Sequence, residues 1–127
     1  MNEKILVVDD DSALAATIKI ALEQASYKVL VAENGTKGLE MARRELPDLI
    51  LLDIVMPDIN GIEVLKILKG DKQTQDIKVA ILTNFGQEAN IRETLQSGAS
   101  DVLLKYNLGT EDIVKKVGSI IHEPESI

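Results

Sequence analysis

The stretch LILLDIVMPDING, residues 49–61, decides the fold. Its first four residues form an uninterrupted apolar run, which is typical of a short strand buried on both faces of a parallel sheet. Asp53 follows this run directly, and Asn60-Gly61 marks a turn before the next segment with helical spacing. The stretch therefore predicts a strand, a loop that begins with a carboxylate, and then a helix.

The same alternation of apolar run and helical period recurs along the chain. Apolar runs predict strands at residues 5–8, 29–32, 49–52, 79–82 and 102–104. Apolar residues at helical spacing predict helices around residues 14–25, 39–46, 65–68, 91–95 and 113–121. Because short connections between such units imply right-handed crossovers, we expect an α/β doubly wound, five-stranded parallel sheet with helices on both faces.

Length and composition limit the classes of protein that need to be considered. With 127 residues the chain is expected to form one domain over residues 1–122, followed by a short flexible tail over residues 123–127. The absence of cysteine excludes a disulfide scaffold and thiol catalysis. A net charge of −7 and an aromatic content of 2% argue against direct nucleic-acid binding.

The apolar runs are also too short for a membrane span, which requires about 20 residues. The acids at positions 9–11 interrupt the apolar stretch that a secretory signal would need. We therefore expect a cytoplasmic protein without membrane contact.

Polar residues stand where the predicted strands end. Asp9-Asp10 follows the first strand, Asp53 the third, Thr83 the fourth and Lys105 the fifth. In open α/β sheets, ligands bind at the carboxyl ends of the strands, so these side chains are expected to share one edge. Buried, converging carboxylates need a compensating cation, which is either Lys105 or a hard divalent ion. Mg²⁺ suits such a set, because it prefers oxygen ligands and binds through carboxylates and phosphate oxygens.

Four segments, in the order ILVVDDD, LILLDIVMPDING, AILTN and GASDVLLK, resemble the receiver domain of two-component response regulators, the CheY-like family. The resemblance covers essentially the whole chain and implies a flavodoxin-like sheet with strand order 2-1-3-4-5. It implies that Asp53 accepts a phosphoryl group. It also implies a Mg²⁺ site formed by the carboxylates of Asp9, Asp10 and Asp53 and the backbone carbonyl of Val55.

The resemblance further implies that Thr83 and Lys105 contact the phosphoryl group on Asp53. A sensor histidine kinase or phosphotransfer protein would donate that group. The face formed by the fourth helix, fifth strand and fifth helix would then bind a downstream protein partner that the sequence does not identify. We therefore expect a stand-alone signalling domain that is not an enzyme for other substrates and catalyses only its own phosphorylation and dephosphorylation.

Three positions depart from the usual family pattern. Val102 replaces an aromatic residue that usually changes orientation on activation, and Tyr106 replaces a proline after Lys105. Asn84 replaces a small residue after Thr83, in the 83–87 loop that is the candidate switch. These changes leave the acceptor chemistry in place but alter the usual coupling to output.

Two alternatives belong to other functional classes. Asp9 and Asp11 also match the two acids that open haloacid-dehalogenase-type phosphatases, where the first is the nucleophile and the second the general acid. A receiver-like module that binds partners without phosphorylation is the other alternative. A structural role is also open for Asp11 or Ser12, since both residue types cap helix N-termini.

Overall fold

The computed structural model describes residues 3–83, 88–104 and 109–122, with only the backbone described at residues 88–90. The tail expected at residues 123–127 lies outside the described residues. In the three described segments, ten elements alternate: β1 (Lys4–Val8), α1 (Ser12–Gln24), β2 (Lys28–Ala32), α2 (Gly35–Glu45), β3 (Leu49–Leu52), α3 (Gly61–Gly70), β4 (Lys78–Thr83), α4 (Glu88–Gln96), β5 (Asp101–Leu104) and α5 (Thr110–His122).

The five strands form one parallel sheet in the order β2-β1-β3-β4-β5. This order confirms the predicted flavodoxin-like topology, in which β1 and β3 are central neighbours. The register pairs Val8 at the end of β1 with Leu52 at the end of β3. Leu52 in turn pairs with Ile81 of β4. The residues that follow β1 and β3 therefore leave the sheet side by side.

Helices cover both faces of the sheet, as predicted. Because successive strand residues point to opposite faces, Leu51 and Leu52 belong to different core clusters. Leu51 packs in the cluster formed with α1 and α5, and Leu52 packs in the cluster formed with α2 and α3. Both side chains are almost completely buried. The strand that leads to Asp53 is thus fixed from both sides.

Side-chain caps set the starts of three helices. The carboxylate of Asp11 accepts a hydrogen bond from the Leu14 amide at 3.1 Å and begins α1. Asn34 and Asn60 cap α2 and α3 in the same way. Of the two capping candidates for the first helix, the structure selects Asp11, and Ser12 is the first helical residue.

In the part of the chain that the structure describes, no helix has both the length and the apolarity needed to cross a lipid bilayer.

Candidate functional site

Two of the predicted site residues emerge from adjacent strands at the carboxyl edge of the sheet. The amide of Asp53 donates to the carbonyl oxygen of Val8 at 3.0 Å, which extends the pairing of β1 with β3 by one residue. The amide of Asp9 donates to Ala32 of β2 at 3.1 Å. The main chain of both aspartates is therefore held by the sheet, and their side chains start from fixed positions.

Three carboxylates converge at this edge. One carboxylate oxygen from each of Asp9, Asp10 and Asp53 lies within 4.8 Å of the other two. Asp9 is 2% exposed and Asp53 is 7% exposed, whereas Asp10 is open to solvent. A set of hard oxygen donors that is partly buried and open on one side fits Mg²⁺, which usually keeps several waters. The arrangement is therefore suited to a divalent cation that an incoming ligand can also reach.

Asp11 is not one of these three carboxylates. Its amide donates to Oδ1 of Asp9 at 2.9 Å, while its own carboxylate caps α1. The first contact orients the side chain of Asp9 within the β1–α1 loop. In the second contact the Asp11 carboxylate, which the phosphatase alternative would use as a general acid, is bonded to the Leu14 amide.

The loop from Asp53 to Gly61 closes tightly on itself. The amide of Gly61 donates to the carbonyl oxygen of Ile54 at 2.8 Å. A Cβ atom at position 61 would overlap the carbonyl oxygen of Asp53, so only glycine fits this approach without displacement. Between these contacts lies Val55, whose side chain is 55% exposed. Gly61 was expected to shape a turn, and the structure shows that it also abuts the backbone of Asp53.

Sequence reasoning gave no role to Asp58. Its carboxylate accepts hydrogen bonds from the amides of Gly35 and Thr36 at 3.0 and 2.9 Å and from the Thr36 hydroxyl at 2.6 Å. The Thr36 hydroxyl is the main reason that the pKa of this carboxyl lies well below its usual range. The partners are more than 20 residues away in sequence, so no local pattern indicates this contact.

The remaining predicted site residues are only partly described. Thr83 ends β4 and is 1% exposed, beside the strand that leads to Asp53. Val102 lies in β5 and packs, partly buried, against the cluster that contains Leu52. Lys105, Tyr106 and the 84–87 part of the candidate switch loop lie outside the described residues.

The only histidine of the chain is remote from this edge. His122 ends α5, and its Nε2 lies 3.6 Å from a carboxylate oxygen of Glu3, which precedes β1 at the opposite edge of the sheet. A contact between this side chain and an acid from the start of β1 is a structural role at the end of α5.

Comparison with known proteins agrees with this fold. The profile of the response regulator receiver domain family matches residues 5–118. Protein PilH of Pseudomonas aeruginosa is 36% identical over 118 residues, which cover 93% of this chain and 97% of PilH. The DNA-binding dual master transcriptional regulator RpaA of Synechocystis is 36% identical over 124 residues, 98% of this chain but 51% of RpaA. The chain thus spans about half the length of that relative.

A solved structure shows the same similarity in three dimensions. The CheY-like response regulator receiver domain protein of Methanospirillum hungatei superposes with a TM-score of 0.88 at 30% identity, covering 97% of this chain and 96% of that protein. The chain belongs to the response regulator receiver domain family. It is therefore a CheY-like domain of two-component signalling.

Proposed function

We propose that Asp53 accepts a phosphoryl group from a sensor histidine kinase or phosphotransfer protein, in a Mg²⁺-dependent reaction that switches partner binding. The observation that carries this proposal is the convergence of the Asp53 carboxylate with those of Asp9 and Asp10 within 4.8 Å at the end of β3. Membership of the receiver domain family supports it, because the resemblance to that family implies a phosphoryl acceptor at Asp53.

The proposed reaction needs one carboxylate and a phosphorylated donor. A carboxylate oxygen of Asp53 forms a bond to the phosphorus atom, and the phosphorus–nitrogen bond to the donor histidine breaks. The electron pair of the broken bond stays on the imidazole nitrogen. A phosphohistidine that was protonated leaves as neutral imidazole, and one that was not takes up a proton as it leaves. The product on Asp53 is an acyl phosphate. With a small donor such as acetyl phosphate, acetate is the leaving group. A Mg²⁺ ion held by these carboxylates would supply positive charge that offsets the negative charge of the phosphoryl group.

Each predicted residue has a defined task in this proposal. Asp9, Asp10, Asp53 and the Val55 carbonyl would hold the ion through oxygen ligands. The Thr83 hydroxyl would donate a hydrogen bond to a phosphoryl oxygen, and Lys105 would supply a fixed positive charge. Positioning and electrostatic stabilisation are the main contributions that a protein makes to phosphoryl transfer.

The switch would start at Thr83. Phosphorylation adds negative charge and strong acceptor oxygens, which attract a nearby hydroxyl donor and the 83–87 loop attached to it. The surface formed by α4, β5 and α5 would transmit that change to a downstream protein. Within the same proposal, the domain covers residues 1–122. It acts in the cytoplasm without binding nucleic acid or membranes directly.

Incubation with acetyl phosphate and Mg²⁺, followed by intact mass spectrometry, tests the proposal. We expect one added phosphoryl group in the wild-type chain, none in Asp53→Asn and none when EDTA removes the metal. Asp48→Asn is a matched control, because this carboxylate lies before β3 at the opposite edge of the sheet.

The alternatives give different results in the same experiment. An adduct that persists in Asp53→Asn but disappears in Asp9→Asn would favour the phosphatase chemistry. A folded wild-type chain without any adduct would favour a module that binds partners independently of phosphorylation.

A further inference from the structure

The N-terminus of α2 depends on a residue from another part of the chain. The first four amides of a helix have no partner within it and must be satisfied from outside. Asn34 satisfies one of them, since its side chain accepts from the Lys37 amide at 2.8 Å. Its carbonyl accepts the first regular helical bond, from the Gly38 amide at 2.9 Å. The amides of Gly35 and Thr36 donate instead to Asp58. Half of this helix terminus is therefore bonded to the β3–α3 loop.

Packing reinforces these hydrogen bonds. A Cβ atom at Gly35 would overlap the side chain of Ile59, so the loop lies directly against the first turn of α2. A carboxylate is also favoured there by the positive end of the helix dipole. Hydrogen bonds that lower the pKa of Asp58 are bonds to its ionised form, which is the form present near neutral pH.

The loop is thereby held at two points. Its base is closed by the hydrogen bond from Gly61 to Ile54, and its far side is bonded through Asp58 to α2. Val55 lies between these two points, one residue after Ile54 and three before Asp58. The main chain of Val55 therefore belongs to a short segment that is attached at both of its ends.

We propose that Asp58 is a positioning residue for the metal site: by bonding the β3–α3 loop to the N-terminus of α2, it holds the Val55 carbonyl in place before Mg²⁺ binds. The inference rests on the proposed function, which assigns that carbonyl to the ion. It assigns a role in metal binding to a residue outside the three converging carboxylates. It also means that α2 helps to hold the β3–α3 loop, which begins with the acceptor Asp53. Partners that orient metal ligands typically affect metal affinity by about 10- to 100-fold.

The test compares Asp58→Ala with Asp48→Ala. Asp48 is a suitable control because its carboxylate also accepts from a backbone amide, that of Lys4 at 2.7 Å, but at the opposite edge of the sheet. Titration calorimetry with MgCl₂ measures the metal dissociation constant. Hydrogen exchange of the metal-free chain measures protection of the Gly35 and Thr36 amides.

We expect Asp58→Ala to weaken Mg²⁺ binding on the order of tenfold, at the lower end of the usual range for such partners. Asp58→Asn keeps an acceptor oxygen and should lie between Asp58→Ala and the wild type. Exchange at Gly35 and Thr36 should become faster in the metal-free Asp58→Ala chain, and Asp48→Ala should bind Mg²⁺ like the wild type.

If Asp58→Ala does not fold, Asp58→Asn and Thr36→Val decide the question, since each removes only part of the contact. Variants that lose protection at Gly35 and Thr36 but bind Mg²⁺ as tightly as Asp48→Ala would overturn this inference and leave the proposed function intact. A wild-type chain that binds no Mg²⁺ would overturn both.

Discussion

At the scale of single residues, Gly61 lies directly against the backbone of Asp53 and Ile54 at the start of the β3–α3 loop. We predict that Gly61→Ala lowers the free energy of unfolding by about 1–3 kcal/mol, because the new Cβ forces Asp53 and Ile54 to move. Gly70→Ala is the matched control: it ends α3 and has no atom within 4 Å of an added Cβ. Urea unfolding of both variants measures the difference.

The control should be neutral or should stabilise the chain by up to about 1 kcal/mol, since alanine is the better helix former. Equal stabilities for Gly61→Ala and the wild type would contradict the close approach seen at this loop.

The carboxyl of Asp58 gives a residue-scale prediction for pH. Its pKa is lowered in the folded chain, mainly by the Thr36 hydroxyl, so its contribution to stability is present above the usual carboxyl pKa. That contribution is lost as the pH falls through the lower folded value. We predict that Asp58→Asn is less stable than the wild type near neutral pH, and that the difference shrinks below about pH 4.

Urea midpoints of the two chains across this pH range measure that difference. A difference that stays constant from neutral to acidic pH would show that the carboxylate is not preferentially bonded in the folded chain.

Sequence reasoning identified the converging acids because each follows a recognisable apolar run. Asp53 after Leu52 and Asp9 after Val8 needed only the rule that strand ends share an edge. Asp58 was missed for a physical reason: its partners, Gly35 and Thr36, are brought near only by the packing of α2 against the β3–α3 loop. A polar residue in a loop carries no local signal of a distant partner.

At the scale of elements, substitutions of Asp11 distinguish the capping of α1 from participation in the phosphorylation reaction. As the cap of α1 it should affect stability and not chemistry, so Asp11→Ala should cost about 1 kcal/mol and still form the adduct with acetyl phosphate. Asp11→Ser keeps a capping oxygen and should recover most of the stability. Urea unfolding and intact mass measure the two properties.

Loss of the adduct in both Asp11→Ala and Asp11→Ser, with stability retained in the latter, would contradict a purely capping role. It would indicate that this carboxylate takes part in the reaction.

The pattern of apolar residues predicted the positions of the strands, but it did not predict several of their first and last residues. The apolar runs predicted every strand, although β1, β2 and β5 each begin one residue earlier than the run and β4 extends by one residue at both ends. Lys4, Lys28 and Asp101 are strand residues with polar side chains, so hydrophobicity alone does not include them. The Asn60-Gly61 pair predicted a turn before the third helix, and the structure shows in addition that Asn60 caps this helix and that α3 begins at Gly61.

At the scale of the whole molecule, Mg²⁺ binding should increase the stability of the folded chain against unfolding. A ligand that binds only the folded chain stabilises it by about 2.7 kcal/mol at 100 times its dissociation constant. We predict that MgCl₂ raises the melting temperature above that in NaCl of equal ionic strength, which controls for screening of the net charge of −7. Asp10→Asn removes one carboxylate of the cluster and should reduce this increase.

Differential scanning calorimetry of both chains in both salts measures the effect. Equal shifts in MgCl₂ and NaCl, or an undiminished Mg²⁺ shift in Asp10→Asn, would contradict a specific site.

The residue pattern predicted the type of sheet but not the order of its strands. Apolar runs that alternate with helical segments predicted a parallel sheet covered on both faces, because helices on both sides bury strands such as Leu49–Leu52 completely. The order 2-1-3-4-5 came from the family resemblance, since no single residue specifies which strand pairs with which. The register that places Asp53 beside β1 required the structure.

Chemical mapping of the phosphorylated residue tests the central claim most directly. Borohydride reduces an aspartyl phosphate to homoserine, so the wild-type chain is treated with acetyl phosphate and Mg²⁺, reduced, digested and sequenced by mass spectrometry. We predict homoserine at position 53 alone. Homoserine at position 9, or a phosphorylated chain with an unchanged aspartate at position 53, would contradict the assignment of Asp53 as the acceptor.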